Sequence, residues 1–452
     1  MTDLSAWLPR GVEAINEWMA QFGAFEQHPS LQVDDVALDI AFGQLTDRLT
    51  DNYPFGHPRY VGQMLKPPHP VAVLGYLTAM LINPNNHALD GGPATAQMEK
   101  EVVARLATMF GLPQHLGHLT SSGTTANLEA LWVARESHPS KAIAFSTDAH
   151  YTHARMCQVL GVEGVAIPTD ELGRMDLEAL ERALSGGRIG TVVATLGTTG
   201  LGALDPLPGI VALARAHGAR VHVDTAYGGF FALIADDTVD GVARAPFAAI
   251  ANVDSVVVDP HKHGLQPYGC GAVLFADPSV GRFYVHDSPY TYFSSDELHL
   301  GEISLECSRA GAAAAAFWLT LEVIPLSDAG LGRVLRANRR GALEWTRLLD
   351  ESEHLTAYQA PELDIVTYFP TRPSLSEVDR ASAKLFVDAA ALPPEKQVHL
   401  ATYSVKPDAL AVRGHEVIAD IAAGRIIRST VMKPESAQLI SEIHARLEQL
   451  TR

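Results

Sequence analysis

The stretch VVVDPHKHGLQPYGCGAVLFA, residues 256–276, places Lys262 between two histidines, directly after a run of valines. Such a run predicts a buried strand, and the glycines and prolines that follow predict a loop. Lys262 would then stand where the strand ends, which is an unusual place for a solvated lysine. Two interpretations fit: a loop that carries surface charges, or an amine held at the mouth of a sheet to react with a carbonyl.

The sequence before this stretch alternates short apolar runs with amphipathic patterns. Runs rich in valine and isoleucine predict buried strands at 142–146, 164–168, 191–197, 220–224 and 255–259. Helical spacing of apolar residues predicts helices at 95–111, 176–184 and 209–218. Strands and helices in series are joined by right-handed crossovers. The pattern therefore predicts an α/β fold with a mostly parallel sheet that helices cover on both faces.

Three segments are predicted along the chain. Residues 1–70 carry two helical patterns and predict an N-terminal arm that packs elsewhere. Residues 71–325 hold the alternating pattern and predict the large domain. Residues 326–452 predict a smaller α+β domain, because their strand-like runs are more widely spaced. These runs lie at 363–369, 399–405 and 425–432, with a helical pattern at 336–351.

Composition narrows the class of protein. Of the 452 residues 47% are apolar, so a large core is available, and the formal net charge of −18 argues against a nucleic-acid groove. Cys157, Cys270 and Cys307 are too few and too scattered for a disulfide framework. The sequence shows no secretory signal pattern and no apolar run of about 18 residues. We therefore expect a cytoplasmic protein.

Polar side chains collect where the predicted strands end. Ligands of open α/β sheets bind outside these carboxyl ends, which carry Thr199, Asp224 and Lys262 in this chain. The turn TSSGTTAN, residues 120–127, leads into a helical pattern and offers hydroxyl and N–H groups to a phosphate. An acid, a lysine, histidines and a phosphate-type turn suit a cofactor with a protonatable ring nitrogen, a carbonyl and a phosphate. Pyridoxal 5′-phosphate has all three.

Each of these residues also has an ordinary structural interpretation. Lys262 is either an amine whose pKa burial lowers, so that it is free to react, or half of a salt bridge. Asp224 either pairs with the ring nitrogen or caps a turn. Thr124 either contacts the phosphate or serves as a helix N-cap. His150 either stacks on the cofactor ring or is a bystander in its loop.

The set of motifs resembles the group II pyridoxal-phosphate-dependent amino-acid decarboxylases, a branch of the fold type I, aspartate aminotransferase-like enzymes. The resemblance covers most of the chain, and its segments around Asp224 and Lys262 are highly specific. In order, the segments are HPRYVGQ (57–63), GGPATAQMEKEV (91–102), TSSGTTANLEAL (120–131), HYTHA (150–154), ATLGTTGLGALDPL (194–207), VHVDTAYGG (221–229), DPHKHGLQPYGCGAVLF (259–275) and SRAGAA (308–313). The resemblance implies a seven-stranded, mostly parallel sheet with an N-terminal arm and a smaller C-terminal domain.

The resemblance also implies roles for individual residues. Lys262 would carry the cofactor as a Schiff base, Asp224 would bind the pyridine nitrogen, and His150 would stack on the ring. Arg428, in RIIRSTVMKP, resembles the small-domain arginine that binds the substrate carboxylate. The other assignments are Thr199 and His261 beside the cofactor, Ser122, Gly123 and Thr124 at its phosphate, Gln63 near the substrate carboxylate, and Tyr292, with Tyr290 as its rival, as the proton donor.

The implied reaction is the decarboxylation of an L-amino acid to its amine and CO₂, through the Schiff base on Lys262 and a quinonoid intermediate. Two other reactions on the same cofactor stay open: carbon–carbon cleavage of a phosphorylated amino alcohol, and oxidative deamination to an aldehyde. A non-catalytic cofactor-binding protein fits less well, because Lys262 and Asp224 are both intact. The resemblance further implies a homodimer with active sites at the subunit interface and the arm wrapped around the partner.

Two departures from the family pattern bear on the substrate. Family members often read Gly-Ser-Glu-Ala at the phosphate turn, where this chain reads Gly123-Thr124-Thr125-Ala126 and so keeps the hydroxyl and loses the acid. His263 stands where enzymes for aromatic amino acids commonly have tryptophan. An aromatic, an acidic and an aliphatic substrate all stay open.

Other catalytic sites find less support. The Gly-x-Gly segments in TTGLGALD and YGCGAVLF lack the third glycine of a dinucleotide-binding turn, and the sequence has no Gly-x-Ser-x-Gly elbow. The histidine pairs 261/263 and 115/118 have no carboxylate or cysteine pair to complete a metal site. We therefore expect no metal.

Overall fold

The computed structural model describes residues 2–285 and 304–452. Its helices are α1 (Leu4–Ala20), α2 (Asp35–Leu49), α3 (Pro70–Met80), α4 (Pro93–Met109), α5 (Gly123–Ser137), α6 (Thr152–Leu160), α7 (Leu177–Leu184), α8 (Leu207–Ala216), α9 (Arg244–Ala248), α10 (Gly311–Val323), α11 (Arg333–Asp350), α12 (Leu375–Ala391), α13 (Pro407–Ala411), α14 (Pro434–Ala437) and α15 (Ile440–Thr451). Its strands are β1 (Leu116–Thr120), β2 (Ala142–Ser146), β3 (Gly164–Ile167), β4 (Ile189–Thr195), β5 (Arg220–Asp224), β6 (Ser255–Val258), β7 (Gly271–Phe275), β8 (Leu355–Gln359), β9 (Ile365–Pro370), β10 (Ala401–Val405) and β11 (Gly424–Thr430).

Seven strands form one sheet in the order β1-β7-β6-β5-β4-β2-β3. The strands from β6 to β3 pair in parallel, whereas β7 runs antiparallel to both β6 and β1. The sheet is mostly parallel, as predicted, and the five predicted strands are β2 to β6. The sequence pattern misses β1, because Gly117 and His118 interrupt its apolar run, and it leaves β7 inside the glycine-rich loop.

Alternate side chains of the strands face two different cores. In β6, Val256 and Val258 belong to the core that includes Leu106 of α4 and Ile210 of α8. Val257, between them, faces the core that includes Ala130 of α5. Both faces are therefore buried, which is why the strands read as continuous apolar runs in the sequence.

The C-terminal part contains a second sheet, with strand order β10-β11-β9-β8 and antiparallel pairing throughout. Helices α11 and α12 pack against this sheet, and the fully buried Trp345 and Tyr368 lie in its core. This is the α+β arrangement that the widely spaced runs predict, with β8 as the strand that the pattern misses. The boundary at residue 326 stays a prediction.

Helices α1 and α2 account for the two helical patterns predicted in residues 1–70. Helix α1 packs against α3, and neither α1 nor α2 contains a buried residue. Large apolar side chains are exposed along both helices, among them Trp7, Trp18, Phe42 and Leu45. Apolar surface of this kind is typical of a contact with another protein surface.

Across residues 2–285 and 304–452, no single helix has both the length and the hydrophobicity needed to cross a membrane. Gly311–Val323 and Asp328–Asp350 meet these criteria only when they are taken together, and the two are bent by 87° relative to each other.

Candidate active site

The carboxyl ends of β4, β5 and β6 and the first turn of α5 surround a cavity of about 190 Å³. These strands are neighbours in the parallel part of the sheet, so the loops that follow them open at the same edge. The eight residues predicted to bind a cofactor all line this cavity: Ser122, Gly123, Thr124, His150, Thr199, Asp224, His261 and Lys262. The structure thus brings together residues that are spread over 140 positions of the sequence.

Lys262 lies in the turn that follows β6. Its backbone N–H donates to the carbonyl of Asp259 (2.9 Å), and its Nζ lies 3.0 Å from Asp259 Oδ2. Burial alone would lower the pKa of Lys262, but the charge and the hydrogen bond of Asp259 and the charge of Asp224 outweigh burial and raise the pKa above its usual value. Of the two interpretations of Lys262, the salt bridge is the one that this geometry shows, because Nζ pairs with Asp259.

Asp224 is the last residue of β5, and it is buried. Its Oδ1 accepts the backbone N–H of Ala226 (3.0 Å), and its Oδ2 accepts the Nε2–H of His153 (2.9 Å). Burial alone would raise the pKa of this carboxyl, but the hydrogen bond and charge of His153, with smaller contributions from Ala226 and Lys262, hold the pKa of Asp224 well below its usual range. A carboxylate kept charged in this way suits a protonated ring nitrogen.

His153 is a site residue that the sequence reasoning missed. It lies in the first turn of α6 and is fully buried, and its Nδ1 has no hydrogen-bond partner among the described residues. The signal in the sequence is the second histidine of HYTHA, three positions after His150. The start of α6 separates the two rings, so that His150 lines the cavity while His153 points into the interior toward Asp224.

The phosphate-type turn forms the start of α5. Ser122 is its N-cap, and the Ser122 Oγ accepts the backbone N–H of Thr125 (3.3 Å). Gly123 is the first residue of the helix, and a Cβ at this position would lie 2.6 Å from both carboxylate oxygens of Asp259. A side chain is therefore excluded at Gly123. The start of a helix presents free N–H groups and a positive dipole end, which suit an anion.

For two histidines of the cavity, hydrogen bonds show which ring nitrogen carries the proton. His150 Nδ1 accepts the backbone N–H of Thr152 (3.3 Å), so its neutral ring carries the proton on Nε2, and burial lowers its pKa. His261 Nδ1 lies 2.8 Å from the carbonyl of Cys270, which can only accept, so His261 carries its proton on Nδ1. Thr199 reaches the same cavity from the loop after β4.

Arg428 lies on β11 of the second sheet and is buried. Its Nε donates to the carbonyl of Gly200 (3.2 Å), the residue after Thr199, and its Nη2 has no hydrogen-bond partner in the described part of the chain. Arg428 is not among the residues that line the cavity, and its bond to Gly200 connects it to the loop that carries Thr199. Gln63 lies apart, because it lines a separate groove beside β10 and α12. Its carbonyl nevertheless accepts the Thr430 hydroxyl (3.0 Å), two positions along β11 from Arg428.

Tyr290 and Tyr292, the two predicted proton donors, lie outside the described residues. The structure therefore leaves both assignments as predictions.

His263 is fully buried and is not among the residues that line the cavity. Its ring meets Tyr227 and Phe231 edge-on, with centroids 4.8 and 5.0 Å away. His263 Nε2 lies 3.4 Å from Asp364 Oδ2, and the Tyr227 hydroxyl donates to Asp364 Oδ1 (2.6 Å). Burial raises the pKa of Asp364 to about 7. His263 thus belongs to the packing that joins the loops after β5 and β6 to the start of β9. It is not part of the wall of the cavity.

The donor set of the cavity fits pyridoxal 5′-phosphate. Lys262 offers an amine to its carbonyl, Asp224 a buried carboxylate to its ring nitrogen, and the turn at Gly123 a helix start to its phosphate. Within residues 2–285 and 304–452, no group of three or more His, Cys, Asp or Glu side chains is placed to hold a metal ion.

Comparison with known proteins places the chain in a family. Residues 42–362 match the family model described as pyridoxal-dependent decarboxylase conserved domain. The chain is 31% identical to the L-tyrosine decarboxylase of Enterococcus faecium over 390 aligned residues, which covers 65% of this chain and 64% of that protein. It is 28% identical to the probable L-tyrosine/L-aspartate decarboxylase of Methanoculleus marisnigri over 319 residues, which covers 69% of this chain and 82% of that protein. The chain thus spans just under two thirds of the length of the Enterococcus enzyme.

The fold is similar to that of Oryza sativa TDC crystallised with PLP and tryptamine, with a TM-score of 0.79 at 17% identity, over 100% of this chain and 98% of that chain. At this identity the likeness concerns the fold alone, and it confirms the predicted fold type I architecture. The family match confirms the predicted family and its cofactor, pyridoxal 5′-phosphate. The chain belongs to the pyridoxal-dependent decarboxylase family.

Proposed function

We propose that the protein converts an L-amino acid to the corresponding amine and CO₂, with pyridoxal 5′-phosphate held by Lys262. The observation that carries the proposal is the cavity lined by all eight predicted cofactor residues. The bound cofactor supplies the electron sink for the bond between Cα and the carboxylate. The residues of the chain supply binding, orientation and protons.

The cofactor is proposed to be held at three points. Asp224 keeps a proton on the ring nitrogen, since His153 and Ala226 stabilise its charged form. His150 stacks its neutral ring on the cofactor, with Thr199 and His261 as supports at the edges. The phosphate lies at the start of α5. The residues proposed for it are Ser122, Gly123 and Thr124.

Arg428 is proposed to bind the substrate carboxylate through its guanidinium, while its bond from Nε to the Gly200 carbonyl fixes the guanidinium plane. A carboxylate held in this way has a set angle to the cofactor, and that angle decides which bond of Cα breaks. Gln63 is proposed as a second neighbour of the carboxylate on the ground of the family resemblance alone.

The proton that replaces CO₂ at Cα is proposed to come from Tyr292, with Tyr290 as the rival. Replacing the true donor with phenylalanine should slow protonation and divert product from the amine to the aldehyde. The product spectra of Tyr292→Phe and Tyr290→Phe distinguish the two residues, and unchanged spectra in both variants would reject both.

We also propose that the enzyme is a homodimer, with residues 1–70 as an arm on the partner, residues 71–325 as the large domain and residues 326–452 as the small domain. The exposed apolar side chains of α1 and α2 support this, because a second copy of the chain would bury them. Light scattering should give twice the mass of the chain, and a monomeric mass would contradict the proposal.

We place the enzyme in the cytoplasm, where its three unpaired cysteines would stay reduced.

The proposed reaction is tested by a screen of the cofactor-loaded enzyme against the common L-amino acids, with products read by mass spectrometry. Tyrosine and aspartate come first, because the names of the relatives include them. Amine from one amino acid, absent in Lys262→Ala, would support the proposal. An aldehyde would indicate oxidative deamination. Bound cofactor with no product from any amino acid would contradict the proposed reaction.

A further inference from the structure

The start of α5, proposed to take the phosphate, already faces a carboxylate. Asp259 is 3% exposed and lies in the loop after β6. Its two carboxylate oxygens lie 2.6 Å from the place that a Cβ would take on Gly123, the first residue of α5. The negative charge of Asp259 therefore sits against the end of the helix that attracts anions. A phosphate bound at this helix start would have Asp259 as a like-charged neighbour.

The same carboxylate is paired with Lys262. Lys262 Nζ lies 3.0 Å from Asp259 Oδ2, and His261 Nε2 lies 3.5 Å from that oxygen. His261 Nδ1 donates to the carbonyl of Cys270. Lys262 Nζ is thus the nearer of the two groups to Oδ2, while Oδ1 has no hydrogen-bond partner within the described residues.

Further titratable groups feel the charge of Asp259. They are His150 and Tyr268, which line or border the site, and Cys270 at the end of the loop. Burial is the largest influence on the pKa of all three. Asp224 faces Lys262 as a second carboxylate.

We propose that Asp259 controls the protonation of Lys262 and couples it to the phosphate. This inference rests on the proposed function, since it assumes that the cavity takes pyridoxal 5′-phosphate. With no phosphate at α5, Asp259 holds Lys262 as an ammonium. A phosphate at the start of α5 would lie closer to Asp259 than to Lys262. Its negative charge therefore destabilises the pair of carboxylate and ammonium relative to the pair of neutral carboxyl and neutral amine. One proton then moves from Lys262 Nζ to Asp259 Oδ2, which leaves a neutral carboxyl beside the phosphate and a free amine.

The first test measures the affinity of the cofactor-stripped full chain for inorganic phosphate by calorimetry. Asp259→Asn keeps the shape of the side chain and removes its charge. We expect this variant to bind phosphate about tenfold more tightly than the wild type, because a like charge a few ångström away is removed. Asp254→Asn is the matched control, since Asp254 lies before β6 and contacts Arg215 and the backbone of Val221 rather than Gly123. Its phosphate affinity should equal that of the wild type.

The second test measures the reactivity of Lys262 with pyridoxal, which lacks the phosphate, by trapping with borohydride and mass spectrometry of the Lys262 peptide. In the wild type, added inorganic phosphate should lower the pH midpoint of trapping by about one unit, since phosphate frees the amine. In Asp259→Asn the midpoint should already be lower without phosphate, and phosphate should not lower it further. A residue that serves packing alone would produce neither effect.

Unchanged or weaker phosphate binding in Asp259→Asn would overturn the inference. So would a wild-type protein in which added phosphate leaves the pH midpoint of trapping unchanged or raises it. The wild-type titration needs no variant, so it decides the question even if Asp259→Asn and a second variant, Asp259→Ser, fail to fold. Neither test involves loss of CO₂. If both tests succeed and no amino acid yields an amine, the proposed reaction fails while this inference stands.

Discussion

The Nε2–H of His153 donates to Oδ2 of Asp224 across 2.9 Å, and both side chains are shut off from solvent. A carboxylate can only accept, so the proton of His153 lies on Nε2. This hydrogen bond stabilises the charged form of Asp224 against burial, which disfavours it. We therefore expect His153 to act on the cofactor through Asp224, as a positioning residue.

Replacing His153 with phenylalanine should weaken the binding of pyridoxal 5′-phosphate about tenfold, since a hydrogen bond to a charged group is worth about 1.5–3 kcal/mol. Equilibrium dialysis of the loaded enzyme measures this. His153→Gln keeps an N–H donor near the position of Nε2 and should recover most of the affinity. If the phenylalanine variant holds the cofactor as tightly as the wild type, His153 fills space and has no role in orienting Asp224.

Lys262→Ala should lose turnover by about a thousandfold or more, because the covalent attachment of the cofactor disappears. The variant should still bind the cofactor non-covalently, since Asp224 and the start of α5 are intact. Borohydride treatment followed by peptide mass spectrometry should label residues 256–276 in the wild type and not in the variant. A variant with full activity would reject Lys262 as the attachment site.

Arg428→Met should raise the KM for the amino acid by about ten- to a hundredfold, because a charge-assisted bond to the carboxylate is lost from a buried site. The affinity for the cofactor should stay as in the wild type. The product amine, which has no carboxylate, provides an internal control, and its inhibition constant should not change. An equal rise in both constants would mean that the substitution disturbs the pocket in general.

The stability of the protein should depend on pH through Asp364. The pKa of Asp364 rises from an ordinary value near 4 in the unfolded chain to about 7 in the folded protein. Between these values the folded state holds a proton that the unfolded state has lost, so this carboxyl makes folding less favourable as pH rises from about 4 to about 7.

Asp364→Asn removes this effect. The urea concentration at the unfolding midpoint of Asp364→Asn, relative to that of the wild type, should therefore rise progressively from about pH 4 to about pH 7. Above about pH 7 the difference between the two midpoints should stay constant. In Tyr227→Phe, which loses the hydrogen bond to Asp364 and keeps the carboxyl, the wild-type trend should persist. A difference between Asp364→Asn and wild type that is the same at every pH would show that the pKa of Asp364 does not change on folding.

Part of the site was predictable because its motifs are contiguous in the chain. Asp224 and Lys262 each follow directly on a valine-rich run, and in a parallel sheet such runs end at one edge. Gln63 shows where this reasoning stops. Its motif is also contiguous, yet the residue lines a separate groove with residues of β10 and α12.

The sequence by itself determined the mostly parallel sheet, the family, the cofactor and eight residues that line one cavity, because strand burial and loop motifs are local properties of the chain. The tertiary structure alone decided the contacts of Asp224 with His153 and of Asp259 with Gly123, which join residues 71 and 136 positions apart. It also decided the direction of the pKa of Lys262, for which the sequence left two interpretations open. That direction depends on the balance between burial and two nearby carboxylates, and only their distances from the amine can settle such a balance.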